Sequence, residues 1–344
     1  MKKGSIMRYA VICLFCCVLA LISCVKPAEV SNNDTITPTT IPASLVRETP
    51  FAPTSTRPVD NNINNERYCY DIPWNGFTAL AFITQQKGWI VSRDQLMQTK
   101  DGGRTWSVIS KLPIIAISLD FVNDDDGMLQ DTCGNVFITH TAGKSWGKIL
   151  FHNPNIYVIS SDYVNVLHGY ILSEEGLYST SDRGLSWQTV QTPCSSPISH
   201  QSISFPTVDV GWLLCVGEPS AGSQGKVLWR TVDGGKSWTE QATTEGGEST
   251  QNGFLPFQGY GHQLFFLDSS IGWIGMGRAE VGGLYATKDS GNTWALVNST
   301  TISEVSHVTF FDEQNGVSLS NPDDLDREVV VLLATHDGGK TWEP

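Results

Sequence analysis

The sequence predicts an all-β fold, a six-bladed β-propeller built from four-stranded antiparallel blades. Two observations predict it. An eight-residue pattern returns six times after residue 66, and a glycine followed by an apolar or aromatic residue precedes each copy. The pattern reads Thr, x, Asp, x, Gly, x, Ser or Thr, Trp, and we call it the repeat motif. Its six copies begin at Thr99, Thr139, Thr180, Thr231, Thr287 and Thr335.

The repeat motif predicts a hairpin turn between two strands. An Asp carboxylate accepts backbone N–H groups of a turn, and glycine supplies the positive φ that such a turn requires. The Trp begins the next strand and buries its ring over the hairpin. The second copy replaces Asp with Thr141, so we interpret the carboxylates as structural rather than catalytic. The expected structural residues are Asp101, Trp106, Trp146, Asp182, Trp187, Asp233, Trp238, Asp289, Trp294, Asp337 and Trp342.

Two further strands precede each motif. An apolar run such as Leu80–Ile83 predicts the inner strand, and a pair such as Gly88-Trp89 begins the second strand. Each repeat therefore gives four strands in about 46 residues, the size of a propeller blade. The last motif ends at Trp342, so we expect the sixth blade to lack an outermost strand of its own. The segment Arg67–Asp71 is the expected donor of that strand, which would close the ring.

These motifs resemble the Asp-box, or bacterial neuraminidase repeat, superfamily. Their order is most similar to the family of the photosystem II stability and assembly factor, over residues 67–344. The resemblance implies the propeller fold. It leaves function open, because the superfamily includes sialidases, xyloglucan hydrolases, sorting receptors and assembly factors. If function followed the assembly family, the partner would be a membrane protein undergoing assembly.

Three segments divide the chain. Residues 1–24 have basic residues followed by a short apolar run, which predicts an export signal. Its end, Leu21-Ile-Ser-Cys24, resembles a bacterial lipobox, which implies a lipid on Cys24 and a bacterial membrane anchor facing the periplasm or the cell exterior. An uncleaved anchor or an ordinary signal peptide are the alternatives. Residues 25–66, rich in Pro, Thr, Ser and Asn, predict a disordered tether, and 67–344 form the propeller.

Charge and cysteine content bound the partners and the compartment. The chain carries a formal charge of −13, which makes nucleic acid or an anionic lipid surface a poor partner for the propeller. We expect the propeller to be a monomer. Topology places Cys194 and Cys215 on one face of the fourth blade, where a disulfide is plausible in an exported protein. Cys69 and Cys133 are a weaker candidate pair, because they fall in different blades.

No catalytic or metal-binding constellation emerges from the sequence. Sialidases carry an Arg-Ile-Pro-like motif near the first strand, and none is present. The acidic runs 124–126 and 323–326 could hold Ca²⁺ through carboxylate oxygens, but neither has EF-hand spacing, and solvated turns rich in Asp and Asn explain them better. We therefore predict no metal and no cofactor.

The best ligand-binding candidate is the insertion Glu245–His262 between the fourth and fifth blades. Its aromatic and imidazole side chains on a Gly-rich loop suit glycan stacking or peptide capture, although they could equally pack the loop itself. The candidate residues are Phe254, Phe257, Tyr260 and His262. We predict a membrane-anchored, non-catalytic binding or assembly module for a protein or glycan. An extracellular glycoside hydrolase is the alternative, and would need two opposed carboxyl groups in a cleft.

Overall fold

The described part of the chain consists of strands and turns only. A computed structural model describes residues 76–151, 156–194, 199–219, 223–244, 255, 259–277, 283–298, 307–320 and 330–343. Across these residues we find no helix of the length and apolarity needed to traverse a bilayer. The predicted signal, tether and strand donor, residues 1–71, lie outside the described residues.

The strands form six antiparallel sheets that follow one another along the chain, each sheet being one blade. Blade one contains β1 Phe77–Phe82, β2 Gly88–Ser92, β3 Gln95–Thr99 and β4 Ser107–Lys111. Blade two contains β5 Ala116–Phe121, β6 Gly127–Asp131, β7 Val136–Thr139 and β8 Gly147–Lys148. Blade three contains β9 Val158–Asp162, β10 Gly169–Ser173, β11 Gly176–Thr180 and β12 Gln188–Val190.

The remaining blades repeat this order. Blade four contains β13 Ser199–Ser204, β14 Gly211–Val216, β15 Lys226–Thr231 and β16 Thr239–Thr243. Blade five contains β17 Tyr260–Phe266, β18 Gly272–Gly277, β19 Gly283–Thr287 and β20 Ala295–Asn298. Blade six contains β21 His307–Phe310, β22 Gly316–Ser320 and β23 Val331–Thr335. The predicted six-bladed propeller is confirmed.

The sixth blade has three strands and one further backbone bridge among the described residues. Ala334 and Glu343 exchange two backbone hydrogen bonds, of 2.7 and 2.9 Å, at the point where the fourth strand of the other blades begins. The sheet nevertheless has three strands among the described residues, as expected for a sixth blade without an outermost strand of its own. The expected donor Arg67–Asp71 lies outside the described residues.

The repeat motif folds as the sequence predicts, with its Thr, Asp and Ser side chains hydrogen-bonded within the turn. In blade four, the Thr231 hydroxyl donates to Asp233 (2.8 Å) and accepts from the Gly235 N–H (2.8 Å). Asp233 accepts both the backbone N–H (2.9 Å) and the hydroxyl (2.6 Å) of Ser237. These bonds lower the pKa of Asp233 to about 2. The carboxylate is thus fixed as a turn acceptor.

Blade two shows why its motif tolerates the loss of Asp. The Thr141 hydroxyl accepts the Ser145 N–H at 3.0 Å and pairs with the Ser145 hydroxyl at 2.8 Å. The Thr139 hydroxyl still accepts the Gly143 N–H at 3.0 Å. A hydroxyl therefore replaces the carboxylate as acceptor, and the turn keeps its shape.

Neighbouring blades are joined by aromatic stacks. In blade five the Phe266 ring, at the end of the inner strand, lies parallel to Trp212 of blade four, with centroids 3.6 Å apart. The motif residue Trp294 meets the same ring edge-on at 6.0 Å. The pairs Trp89–Phe121, Tyr170–Phe205 and Trp273–Phe310 repeat the parallel stack at 3.6–4.0 Å. The second strand of one blade thus packs on the inner strand of the next.

The glycine before each second-strand aromatic makes room for this stack. A Cβ on Gly272 would lie 2.6 Å from the Phe266 ring. That ring cannot move aside, because Trp212 covers its opposite face. The Gly–aromatic pattern in the sequence is therefore a packing requirement.

Blade six and blade one close the ring within the described residues. Phe82 of blade one contacts Phe311 of blade six, with ring centroids 5.9 Å apart. Gln85 donates to Asp312 at 3.4 Å. Leu332 of β23 packs against Gly103 in the first repeat motif, as Leu228 packs against Gly291 between blades four and five. Side-chain packing joins the two ends of the ring at this seam.

We predict that Gly272→Ala destabilises the protein by about 1–3 kcal/mol, because the added methyl group overlaps an immobilised ring. Urea denaturation measures the change in free energy of unfolding. The matched control is Gly225→Ala, where the nearest atom is 3.9 Å from the new Cβ. The control should stay within about 0.5 kcal/mol of the parent. Equal stability of both variants would contradict this account of the glycine pattern.

Candidate functional site

The inner strands are linked to one another by side chains. Asp120 Oδ2 accepts the backbone N–H of Tyr163 at 2.8 Å, which joins blade two to blade three. Asp162 Oδ2 accepts the backbone N–H of Phe205 at 2.6 Å, which joins blade three to blade four. Each carboxyl comes directly before an aromatic residue at the end of its inner strand, Phe121 in β5 and Tyr163 just after β9. Polar side chains thus pair backbone groups that no neighbouring strand could reach.

Uncharged side chains serve the same purpose in the next two blades. The Ser202 and Ser204 hydroxyls accept the N–H groups of Leu264 (3.2 Å) and Phe266 (2.9 Å). Gln263 accepts the N–H of Val308 at 2.7 Å. Hydroxyl and amide acceptors are therefore sufficient for this task. The two aspartates are ionisable, although joining neighbouring blades does not require an ionisable acceptor.

All six inner strands line one cavity of about 860 Å³, which we call the axial channel. Its wall is rich in amide and hydroxyl groups, including Gln130, Gln201 and Ser161. Asp120 and Asp162 are its only carboxyl groups, and no Lys or Arg lines it among the described residues. This volume lies within the range of small-molecule sites.

The channel wall disfavours charge on its titratable groups. Burial raises the pKa of Asp120. Burial and the nearby charge of Asp120 together raise the pKa of Asp162. Both residues are half-buried and line the channel between two blades. Burial also lowers the pKa of His307, whose Nε2–H donates to the Ile117 carbonyl at 2.9 Å.

A second candidate region lies on one end of the propeller. In blades one to five, the second and the fourth strands end at the same end of the propeller, which we call the loop face. A disulfide joins Cys194 and Cys215 there, the pair that the sequence singled out. Cys133 is also disulfide-bonded. Cys69 lies outside the described residues, so its pairing with Cys133 stays a prediction, as does a lipid on Cys24.

The insertion between blades four and five is fastened to the loop face. Leu255 is buried in the cluster that contains Trp212 and Ala242. Gly259 forms a parallel bridge with Ser223 of the β14–β15 connection. The insertion therefore has fixed points on the blade below it.

Lys226 and Gln224 make the strongest of these attachments. The Lys226 ammonium donates to the carbonyl oxygens of Gln224 (2.9 Å) and Gly259 (2.8 Å). Gln224 accepts the Gly261 N–H at 3.2 Å and donates to the Gly217 carbonyl at 3.0 Å. Lys226 is only 1% exposed, and burial lowers its pKa to about 8. A buried cation thus holds the end of the insertion in place.

Of the predicted ligand residues, only two fall in described strands. Tyr260 begins β17, is partly exposed and pairs with Gly277. His262 lies in the same strand, and its side chain is outside the described part. Phe254 and Phe257 also lie outside the described residues. Their proposed contact with a ligand stays a prediction.

The acidic run of residues 124–126 has local partners. Asp124 pairs with Lys87, and Asp126 lies 2.6 Å from His140 and 2.8 Å from Arg183 of blade three. Burial raises the pKa of Asp126, but its hydrogen bonds with Asn123, His140 and Arg183 lower it further, so the net shift is downward. The described residues contain no group of three or more His, Cys, Asp or Glu side chains placed to hold a metal ion. Residues 323–326 lie outside the described part.

Sequence reasoning missed the residues that define both regions. Asp120 interrupts the apolar run Ile117–Phe121, and an acid inside an inner strand was a usable signal. Asp162 is also placed directly before an aromatic residue. Lys226 gave no signal, because a lysine at the start of a strand is ordinary on a surface and only the fold buries it.

Comparison with known sequences gives a partial match. The family model for sortilin and Vps10, described as "Sortilin, neurotensin receptor 3", matches residues 134–252, about a third of the chain. No curated protein sequence matches the chain.

Comparison with solved structures shows the same fold. YCF48 from Cyanidioschyzon merolae is 18% identical with a TM-score of 0.51, over 79% of this chain and 86% of that one. The GH74 xyloglucanase from Xanthomonas campestris is 12% identical with a TM-score of 0.52, over 78% of this chain and 46% of that one. A structure of YCF48 bound to a D1 peptide is 18% identical with a TM-score of 0.49, over 82% and 86%. At these identities the likeness shows the propeller fold alone.

We predict that Asp162→Asn raises the melting temperature at pH 8 by roughly 2–5 °C and leaves it nearly unchanged at pH 4. Asn keeps the acceptor for the Phe205 N–H. The pKa of Asp162 in the folded protein lies above the ordinary value of 3.8. The stability that the bound proton contributes is therefore complete below pH 3.8 and is lost as the pH rises through the folded-state pKa. Exposed Asp125→Asn is the control. A lower melting temperature for Asp162→Asn at pH 8 would show that the carboxylate is stabilising.

Proposed function

We propose that this chain is a non-catalytic binding or assembly module whose loop face takes a protein or glycan partner outside the cytoplasm. We further propose that the repeat motifs are Asp boxes and that a lipid on Cys24 anchors the chain to a bacterial membrane. The propeller is then held at the membrane by residues 25–66, with the loop face available to a partner.

The anchored insertion carries this proposal. Its end is held by the Lys226 ammonium on the Gly259 carbonyl and by Gln224 on the Gly261 N–H. A buried cation with two carbonyl acceptors is costly to assemble, and it places the loop rather than stabilising the sheet. The Cys194–Cys215 disulfide fixes a neighbouring connection on the same face. Loops positioned by a rigid scaffold are typical of binding surfaces.

The carboxyl groups of the repeat motifs and of Asp126 have structural partners, which supports a non-catalytic function. The motif aspartates are saturated by turn hydrogen bonds, as Asp233 and Asp289 illustrate. Asp126 is held by His140 and Arg183. No pair of free carboxylates opposed across an open cleft emerges among these residues.

A glycoside hydrolase is the second candidate, on one observation. Asp120 and Asp162 interact in the axial channel and both have raised pKa values, as an acid catalyst requires. Each, however, also accepts a backbone N–H from the next blade. We favour the binding module because each channel carboxyl already accepts a backbone N–H that joins two neighbouring blades.

The loop-face proposal is tested with the full chain, applied to a glycan array with product analysis by mass spectrometry. We expect binding without cleavage, weakened at least tenfold by Lys226→Met, because the insertion loses its anchor. Lys148→Met is the control, since Lys148 is an exposed lysine on the outer strand of blade two. If no glycan binds, crosslinking in bacterial membranes uses the same two variants to find a protein partner.

Three results would each contradict a part of the proposal. Equal glycan binding by Lys226→Met and Lys148→Met would show that recognition does not depend on the loop anchor. Cleavage products that disappear in Asp120→Asn and Asp162→Asn would establish the hydrolase instead. The lipid anchor is tested by fatty-acid labelling of the chain in bacteria. Labelling that persists in Cys24→Ser would contradict a lipid on Cys24.

A further inference from the structure

The axial channel has an unbalanced wall. Its carboxyl groups are Asp120 and Asp162, on the neighbouring strands β5 and β9, and no described Lys or Arg lines it. The other titratable groups that line it are Tyr163 and His307. The Tyr163 hydroxyl donates to the Val166 carbonyl at 3.0 Å. Burial lowers the pKa of His307, which favours its neutral form. Positive charge is therefore absent from this part of the wall.

Each channel carboxyl keeps acceptor capacity beyond its bond to the next blade. Oδ2 of Asp120 and Oδ2 of Asp162 accept backbone N–H groups. The Asp120 carboxyl also accepts the Phe121 N–H. A carboxylate offers about four lone-pair sites, so both groups can accept further donors. Both residues line the channel, and two carboxyl acceptors thus border the cavity on adjoining blades.

We propose that the axial channel binds an alkylammonium ion, whose N–H groups are accepted by the carboxylates of Asp120 and Asp162. Two neighbouring carboxyls in an enclosed space cannot both ionise easily unless a cation lies near them. An ammonium group supplies that charge and three N–H donors. The proton that the pair would otherwise hold leaves to solvent when the ligand binds.

An organic cation fits this wall better than a metal ion does. Calcium takes six to eight oxygen ligands, and the described residues offer no third acidic or imidazole ligand at this place. The wall instead offers hydroxyl and amide groups, among them Ser160, Ser161 and Gln201, which suit the polar body of an amine ligand. A volume of about 860 Å³ accommodates such a molecule.

The test is a calorimetric titration of the full chain with 1,5-diaminopentane, and with 1,5-pentanediol as the uncharged molecule of the same shape. Phosphate buffer at pH 8 is used, because Tris is itself an amine. We expect the diamine to bind and the diol not to bind. Asp120→Asn and Asp162→Asn should each weaken diamine binding at least tenfold. Asp125→Asn, an exposed acid outside the channel, should leave it unchanged.

Loss of diamine binding by a variant can be distinguished from misfolding. Asn retains the acceptor for the backbone N–H, and a thermal melt checks each variant. As a second readout, binding to the parent protein should weaken at pH 5, where the carboxyl pair holds a proton. Equal binding of diol and diamine, or unchanged diamine binding by both Asn variants, would overturn the proposal.

Further ligands identify the source of the amine. A glucosamine tetrasaccharide and a lysine tripeptide are titrated beside their N-acetylated forms. Binding by the sugar or the peptide that disappears on acetylation supports the proposal and names the source. Lys226→Met should bind the diamine like the parent, because it acts on the loop face. Failure of the loop-face proposal therefore remains distinguishable from failure of this one.

Discussion

The structure depends on one packing arrangement, an inner-strand Phe held between two blades. Phe266 lies flat on Trp212 of the preceding blade, meets Trp294 of its own repeat motif at its edge, and leaves no room for a side chain at position 272. Aromatic rings bury large areas with few rotatable bonds, so they suit small sheets that have little other core. Every blade interface with this stack positions the next inner strand, and the inner strands together form the channel.

This arrangement explains why the fold was readable from the sequence. Gly272-Trp273 and Thr287–Trp294 report local requirements, a glycine beneath a ring and a turn closed by its own hydroxyls. Such requirements recur in each blade and therefore appear as a repeat. The pairing of Glu343 with Ala334 was missed, because the edge of a sheet depends on backbone geometry that no side-chain pattern reports.

The candidate sites were less predictable, because they arise from contacts between blades. Asp120 and Asp162 are 42 positions apart in the numbering and come together only when blades two and three adjoin. Lys226 becomes a loop anchor only because Gly259, in the following insertion, folds over it. Each region has a separate physical basis: charge in a closed space for the channel, and an anchored loop for the loop face. A change in one should leave the other intact.

The most direct measurement is a carbon-13 NMR titration of aspartate carboxyl groups in the full chain, with the two channel resonances assigned from the Asn variants. The account places two interacting carboxyls in an enclosed wall without a nearby cation. It therefore predicts that at least one of the two titrates well above the ordinary value of 3.8 and that replacing either lowers the pKa of the other. Independent titration of both groups near 3.8 would contradict it.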